Sequence, residues 1–148
     1  MAKREAVETT VTGNDERVGF RALVMKQAIQ YNLAGSAKNE ANNIVRFTLQ
    51  GDKKRIDSAL ATIQEGTPRS SDIKLSTTTS VAIDPALNAF TIVDWTSSSR
   101  NITNRYNLVF GLRPNDTAIS HSDAKAVWRQ ILEGTLNADD RKKLKPED

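Results

Sequence analysis

Apolar residues recur along this chain with a period of two in some segments and close to four in others, and the changes of period predict its elements. Residues 7–12 are rich in β-branched side chains and predict a strand that stops at Gly13-Asn14-Asp15. Residues 21–33 carry apolar side chains at helical spacing, and Gly35 stands where a helix-ending glycine is expected. The N-terminal part therefore predicts a strand followed by a helix.

The middle of the chain continues this alternation. Residues 39–43 are rich in asparagine, which tolerates a left-handed backbone, and predict a turn before a strand at 44–49. Asp52 is placed to cap a second helix that ends at 66–68, and two strands are predicted at 73–83 and 89–95, joined by a turn at Asp84-Pro85. These elements favour an α+β fold, the ferredoxin-like α/β sandwich of order β-α-β-β-α-β, in which two helices cover one face of an antiparallel sheet.

A further strand and helix are predicted after this unit. Residues 105–112 alternate and predict a strand, and Ser122 is placed to cap a helix over about 122–133 that stops at Gly134. Asn137 is placed to cap a short charged helix. We expect residues 1–97 to form the main domain, and the extension 98–148, too small for a core of its own, to pack on that domain, on a protein partner or on a second copy.

Composition narrows the classes of function. The chain has 148 residues, no cysteine and a formal charge of +3, and its last ten residues carry four bases and four acids. Thiol chemistry is excluded, a nucleic-acid partner is disfavoured, and no apolar run reaches the length of a membrane span. No secretory signal is recognised, which favours a cytoplasmic location.

Metal and triad chemistry find no support in the sequence. His121 is the one histidine of the chain, no cluster with metal-ligand spacing accompanies it, and no Gly-x-Ser-x-Gly motif is present. The sequence predicts neither a metal nor a cofactor. Arg100, Arg105 and Arg113 near Tyr106 and Phe110 are compatible with an RNA-stacking surface, although a solvated strand edge explains them more simply.

The segment Gly13-Asn14-Asp15-Glu16-Arg17-Val18-Gly19-Phe20-Arg21 carries the most specific chemistry. It is predicted to be a polar loop that leads into a helix and ends on an arginine. Backbone N–H groups at a helix N-terminus bind anions, and a guanidinium adds a two-pronged donor for phosphate. The segment therefore predicts a phosphate site, unless Arg21 is only a solvated surface residue.

The same segment resembles the first signature of the acylphosphatase family, Gly-x-Val-Gln-Gly-Val-x-Phe-Arg, with matches at Gly13, Val18, Phe20 and Arg21. Residues 35–45 resemble the second signature, Gly-x-Val-x-Asn-x-x-Asp-Gly-x-Val, with matches at Gly35, Asn39 and Val45. The spacing from Arg21 to Asn39 agrees with the family without a gap, and the resemblance covers about residues 5–97.

The resemblance implies the ferredoxin-like fold and hydrolysis of the carboxyl–phosphate bond of acyl phosphates. It implies that Arg21 binds the phosphate and that Asn39 orients the attacking water. It also implies that the loop residues Glu16, Arg17, Val18, Gly19 and Phe20 bind the substrate, an acyl phosphate or phosphate anion, with no metal or cofactor. Positioning and charge neutralisation suffice because the acyl phosphate is already activated.

The loop departs from the family pattern at its centre. Asp15-Glu16-Arg17 stands where the family has Val-Gln-Gly, which places two carboxylates beside an anion site and a side chain where a glycine supplies backbone freedom. Asn42-Asn43 replaces Asp-Gly. A catalytically weak or inactive domain that binds an anion or a protein partner therefore stands as the alternative.

Overall fold

The computed structural model describes residues 3–15, 20–40, 44–66, 70–95 and 104–144. The elements follow one another as β1 (Arg4–Asp15), α1 (Phe20–Tyr31), β2 (Ala34–Glu40), β3 (Ile44–Asp52), α2 (Lys53–Glu65), β4 (Ser70–Leu75), β5 (Thr79–Val81), β6 (Ala89–Trp95), β7 (Tyr106–Gly111), α3 (His121–Thr135) and α4 (Ala138–Lys142). Among the described residues, the strands join in one sheet.

The sheet has the order β4-β1-β3-β2-β6-β7, and β5 also pairs with β1. The prediction of an antiparallel sheet is wrong at one place, because β2 and β6 pair in parallel and make the sheet mixed. The sheet with helices on one face confirms the predicted α+β, ferredoxin-like class.

The helical layer has α1 at its centre. This helix contacts both α2 and α3, and nine of its residues are buried. Because α2 and α3 flank it, α1 is apolar over most of its circumference, whereas α2 buries only Ile56, Ala59 and Ile63. Helix α1 is therefore packed on several sides, which fixes the positions of the residues at its start.

The C-terminal segment shares the core of the main domain. Leu108 of β7 and Trp128 and Leu132 of α3 belong to the same buried cluster as Ile29 and Phe90. The rings of Trp95 and Trp128 lie 6.1 Å apart at 76°, an edge-to-face arrangement. β7 thus continues the sheet beside β6, and α3 covers it next to α1.

Two glycine stops that the sequence predicts are wrong. Helix α1 ends at Tyr31, and Asn32 takes the left-handed conformation with φ 56°. Gly35 instead lies inside β2 with φ 143°, where a Cβ would stand 2.0 Å from the Thr48 carbonyl oxygen. Helix α3 continues past Gly134, and it is capped by Ser120, whose hydroxyl accepts a hydrogen bond from Asp123 N at 3.1 Å, rather than by Ser122.

Several strand boundaries also differ from the prediction. β1 continues to Asp15 through a register shift between Thr12 and Asn14, so Gly13 does not end it. Asn39 lies in β2, paired with Val45, instead of in a turn. The predicted strand 73–83 is two strands, β4 and β5, which both pair with β1.

The other predicted caps are confirmed. Asp52 accepts a hydrogen bond from Arg55 N at 3.1 Å, Gly66 ends α2, and Asn137 caps α4.

None of the helices in the described residues is both long and apolar enough to cross a membrane.

Candidate anion site

A cavity of about 160 Å³ opens where the ends of β2 and β6 meet the beginning of α1. Its lining residues come from four separate places in the chain: Arg21, Lys38, Asn39, Val93, Asp94 and Arg105. The cavity has room for several water molecules or a small anion. It brings Arg21 and Asn39 to one place, as the two signatures predict.

Arg21 enters the cavity from the first turn of α1 and is only 7% exposed. Its Nη1 atom donates hydrogen bonds to the carbonyl oxygens of Val93, at 3.1 Å, and Asp94, at 2.9 Å. Carbonyl oxygens hold a guanidinium in place without cancelling its charge. The two contacts therefore fix the orientation of the Arg21 guanidinium at the cavity.

The two carbonyl groups are presented by an irregularity in the pairing of β6 with β7. The pairing of β6 with β7 shifts register between Ile92 and Trp95, and Asp94 has φ 53°. Asp94 N donates to Asn107 Oδ1 at 3.0 Å, which holds this bulge from the neighbouring strand. A bulge of this kind redirects backbone groups, and here it supplies the acceptors for Arg21.

Asn39 reaches the cavity from the end of β2. It is exposed and stands opposite Val45 of β3, whose side chain is buried beneath the helical layer. Directly paired residues point to the same face of a sheet, so the Asn39 amide lies on the face that carries α1. The amide is thus at the rim of the cavity, on the side from which Arg21 enters it.

Among the described residues, three basic residues and one acidic residue line the cavity. Lys38 also acts outside it: Arg46, which donates a hydrogen bond to Glu40, and the neighbouring Lys38 together hold the pKa of Glu40 below its ordinary value. In the described part of the chain, Arg21 and Arg105 supply the guanidinium groups at the cavity. A positive balance in a concave site favours an anionic ligand.

The structure describes only part of the predicted loop 13–21. Glu16, Arg17, Val18 and Gly19 lie outside the described residues, so their proposed contact with substrate stays a prediction, as does the effect of the acidic loop. Phe20 is the first residue of α1, and its side chain is 3% exposed and part of the core. Only its backbone is therefore available to a ligand.

Sequence reasoning missed the roles of Val93, Asp94 and Arg105. Aspartate tolerates a left-handed backbone, but local sequence does not place a bulge at Asp94, because bulges depend on the neighbouring strand. Arg105 is one of three arginines near aromatic residues, which the sequence explains most simply as part of a solvated strand edge. Its position as the first residue of the predicted strand 105–112 is the available signal.

Arg113 does not lie on a solvated edge. It donates to the Ile29 carbonyl at 2.8 Å and lies over the Phe110 ring at 5.6 Å, and burial lowers its pKa. Phe110 is buried and Tyr106 is half-buried, so neither residue presents a fully exposed ring. Arg100 lies outside the described residues.

His121 is exposed at the first residue of α3. Within the described ranges, no three His, Cys, Asp or Glu side chains are grouped closely enough to hold a metal ion.

The fold and the cavity define a ferredoxin-like α+β protein with a cationic site at one end of its sheet. The profile of the family described as Acylphosphatase matches residues 7–92, and the chain belongs to this family. The match ends before β7, so Arg105 and the helices α3 and α4 lie outside it.

Individual relatives agree with this assignment. The chain is 31% identical over 62 residues to the acylphosphatase of Methanocella arvoryzae, which covers 42% of this chain and 70% of the relative. It is 35% identical over 65 residues to that of Chlorobaculum tepidum, covering 44% and 71%. The crystal structure of acylphosphatase from Bacillus subtilis superposes with a TM-score of 0.50 at 26% identity, over 62% of this chain and 99% of that one.

Proposed function

We propose that the protein hydrolyses the carboxyl–phosphate bond of acyl phosphates, with a small-molecule acyl phosphate as its substrate and inorganic phosphate as a product. The observation that carries this proposal is that Arg21 and Asn39 line a single cavity. They lie on different elements, and they are the residues that match the two family signatures.

Arg21 binds the phosphoryl group in this proposal. One nitrogen of its guanidinium is engaged by the carbonyls of Val93 and Asp94, which fixes the plane of the group. Its fork geometry suits a pair of phosphoryl oxygens, and its charge stabilises the oxygens as they become more negative in the transition state. The resemblance to the first signature adds the loop 16–20 to the proposed phosphate site.

Asn39 orients the attacking water. Its amide oxygen accepts a hydrogen bond from the water, which then lies in line with the bond to be broken. The water oxygen forms a bond to phosphorus while the phosphorus–oxygen bond to the acyl group breaks, and the products are a carboxylate, inorganic phosphate and a proton. A carboxylate is a good leaving group, so positioning and charge supply the catalysis without a strong general base, a metal or a cofactor.

Phosphate binding and a cytoplasmic location form part of the same proposal. Cell fractionation with an antibody to the full chain tests the location.

The second candidate, an inactive domain that binds an anion, is favoured by Asp15-Glu16-Arg17 in the signature loop, because carboxylates repel phosphate. Activity measurements separate the two candidates.

Variants of the two residues test the assignment of roles. Arg21→Ala should lose phosphate affinity and turnover together, whereas Asn39→Ala should lower kcat by about 100-fold or more with phosphate still bound. Steady-state hydrolysis of benzoyl phosphate and titration with inorganic phosphate measure these effects.

Arg21 is buried, so its removal also affects the fold. Loss of the two hydrogen bonds should lower the free energy of unfolding of Arg21→Ala by about 1–3 kcal/mol, which urea denaturation measures. Asn39 is exposed, and its variant should unfold like the wild type. Equal hydrolysis by the wild type and both folded variants would contradict the assignment.

A further inference from the structure

Arg105 reaches the cavity from a part of the chain that the family match does not include. It immediately precedes β7, and it lines the same cavity as Arg21 and Asn39. In the described part of the chain its guanidinium has no hydrogen bond or ion pair with another residue. Its donors are therefore available to a ligand in the cavity.

The residues on both sides of Arg105 are held by a single carboxylate. Asp140 of α4 is 2% exposed, and it accepts hydrogen bonds from Asn104 Nδ2, at 3.0 Å, and from the Tyr106 hydroxyl. The position of Asp140 is fixed in turn because its N–H donates to the cap residue Asn137 at 2.8 Å. Helix α4 thus fixes the backbone from which the Arg105 side chain extends.

The partners of the Asp140 carboxylate lie outside the cavity lining. Its two hydrogen-bond donors and the Lys143 ammonium, at 3.9 Å, surround the carboxylate, and Asp140 is not among the residues that line the cavity. The carboxylate therefore orders the segment without pairing with Arg105.

We propose that Arg105 is a second anion-binding arginine of the cavity and that Asp140 is its positioning residue. This inference rests on the phosphate site proposed around Arg21, and it makes the C-terminal segment a part of that site. Two guanidinium groups suit a doubly charged phosphoryl group better than a singly charged anion, because each charge of the ligand gains a partner.

Phosphate affinity of the full-length protein tests the role of Arg105. Chemical shifts followed during titration with inorganic phosphate should show about tenfold weaker binding for Arg105→Gln, the loss expected for one charge-assisted hydrogen bond. Arg4→Gln is the matched control, because it removes the same charge at the opposite end of the sheet, where Arg4 pairs with Asp52. Its affinity should equal that of the wild type.

A double-mutant cycle tests the positioning role of Asp140. Asp140→Asn should weaken phosphate binding in the wild-type background and have no further effect when Arg105 is already glutamine. A purely structural role would give the same loss in both backgrounds. Arg105→Lys should restore part of the affinity, since it returns the charge without the fork.

The outcomes separate this inference from the proposed hydrolase activity. Binding of phosphate that depends on Arg105, in a protein that does not hydrolyse acyl phosphates, supports the inference and overturns the hydrolase. Hydrolysis with KM and phosphate affinity unchanged in Arg105→Gln supports the hydrolase and overturns the inference. Absence of phosphate binding by the wild type at millimolar concentrations overturns both.

Discussion

At the scale of residues, Arg21 shows how a local backbone irregularity prepares a charged group for binding. The bulge at Val93 and Asp94 offers two neutral acceptors to the guanidinium, so the side chain is ordered before any ligand arrives. A preordered side chain loses little conformational entropy on binding. Arg21, which matches the first signature, is thereby held by hydrogen bonds to β6, a strand outside that signature.

Two glycines allow a sharp test of the backbone geometry. Gly35→Ala should lower the free energy of unfolding by about 3 kcal/mol or more, because φ 143° is strained for alanine and the new Cβ would meet the Thr48 carbonyl. Gly134→Ala is the matched control, since a Cβ there has nothing within 4 Å and the position is helical. It should raise stability by about 0.5–1 kcal/mol.

Urea denaturation at one pH measures both glycine variants. Equal stability of the two proteins would contradict the described pairing of β2 with β3.

The sequence predicted part of the candidate site. Arg21 and Asn39 could be found because the two signatures keep their spacing, and the cavity brings them together. Asp94 and Arg105 could not be assigned to the site, since their positions depend on the pairing of β6 with β7. Such pairing is a long-range property that local composition does not encode.

At the scale of elements, the predicted helices are confirmed, whereas β2 is a strand that the sequence does not predict and the predicted strand 73–83 is two strands. Residues 89–95 form β6 as predicted, because their alternation is regular and a turn precedes them. The sequence predicts a helix end at Gly35, but glycine occurs both at helix ends and where two strands approach closely. Only the contact with Thr48 distinguishes these two uses.

The contact of α4 with β7 should depend on pH. Hydrogen bonds from Tyr106 and Asn104 hold the pKa of Asp140 below its ordinary value of 3.8. A carboxyl with a lowered pKa in the folded state stabilises the fold above its unfolded pKa, and this contribution is lost as pH falls through the folded value. The same hydrogen bond raises the pKa of Tyr106 above 10.0, so the contribution of Tyr106 is lost as pH rises through its folded value.

Asp140→Asn measures the acidic part of this dependence. The urea midpoint of the wild type should fall more steeply below about pH 4 than that of the variant, which lacks the titrating group. At neutral pH the variant should be the less stable protein. If the urea midpoints of the two proteins fell equally steeply with decreasing pH, Asp140 would not stabilise the fold through this titration.

At the scale of the whole molecule, the division of the chain into residues 1–97 and 98–148 stays a proposal. Side chains from both ranges belong to one hydrophobic core. Trp128 of α3 packs on Trp95 of β6, and Leu108 of β7 is fully buried. Removal of the extension would expose this apolar surface. We therefore expect one cooperative unfolding unit that includes β7 and α3.

Amide hydrogen exchange on the full chain tests this cooperativity. The amides of Leu108, Phe110 and Leu132 should exchange as slowly as those of Phe47 in β3, because all four residues belong to one core. Fast exchange throughout β7 and α3, with protection kept in β3, would show that the extension opens independently.

The central claim is that this member of the acylphosphatase family hydrolyses acyl phosphates at the Arg21 cavity. The most direct measurement is the rate of benzoyl phosphate hydrolysis by the purified full-length protein, beside a phosphate monoester and the Arg21→Ala variant. We predict hydrolysis of benzoyl phosphate well above its spontaneous rate, no turnover of the monoester, and loss of activity in the variant. Benzoyl phosphate hydrolysis at the spontaneous rate by a folded, phosphate-binding protein would contradict the claim and identify a binding domain instead.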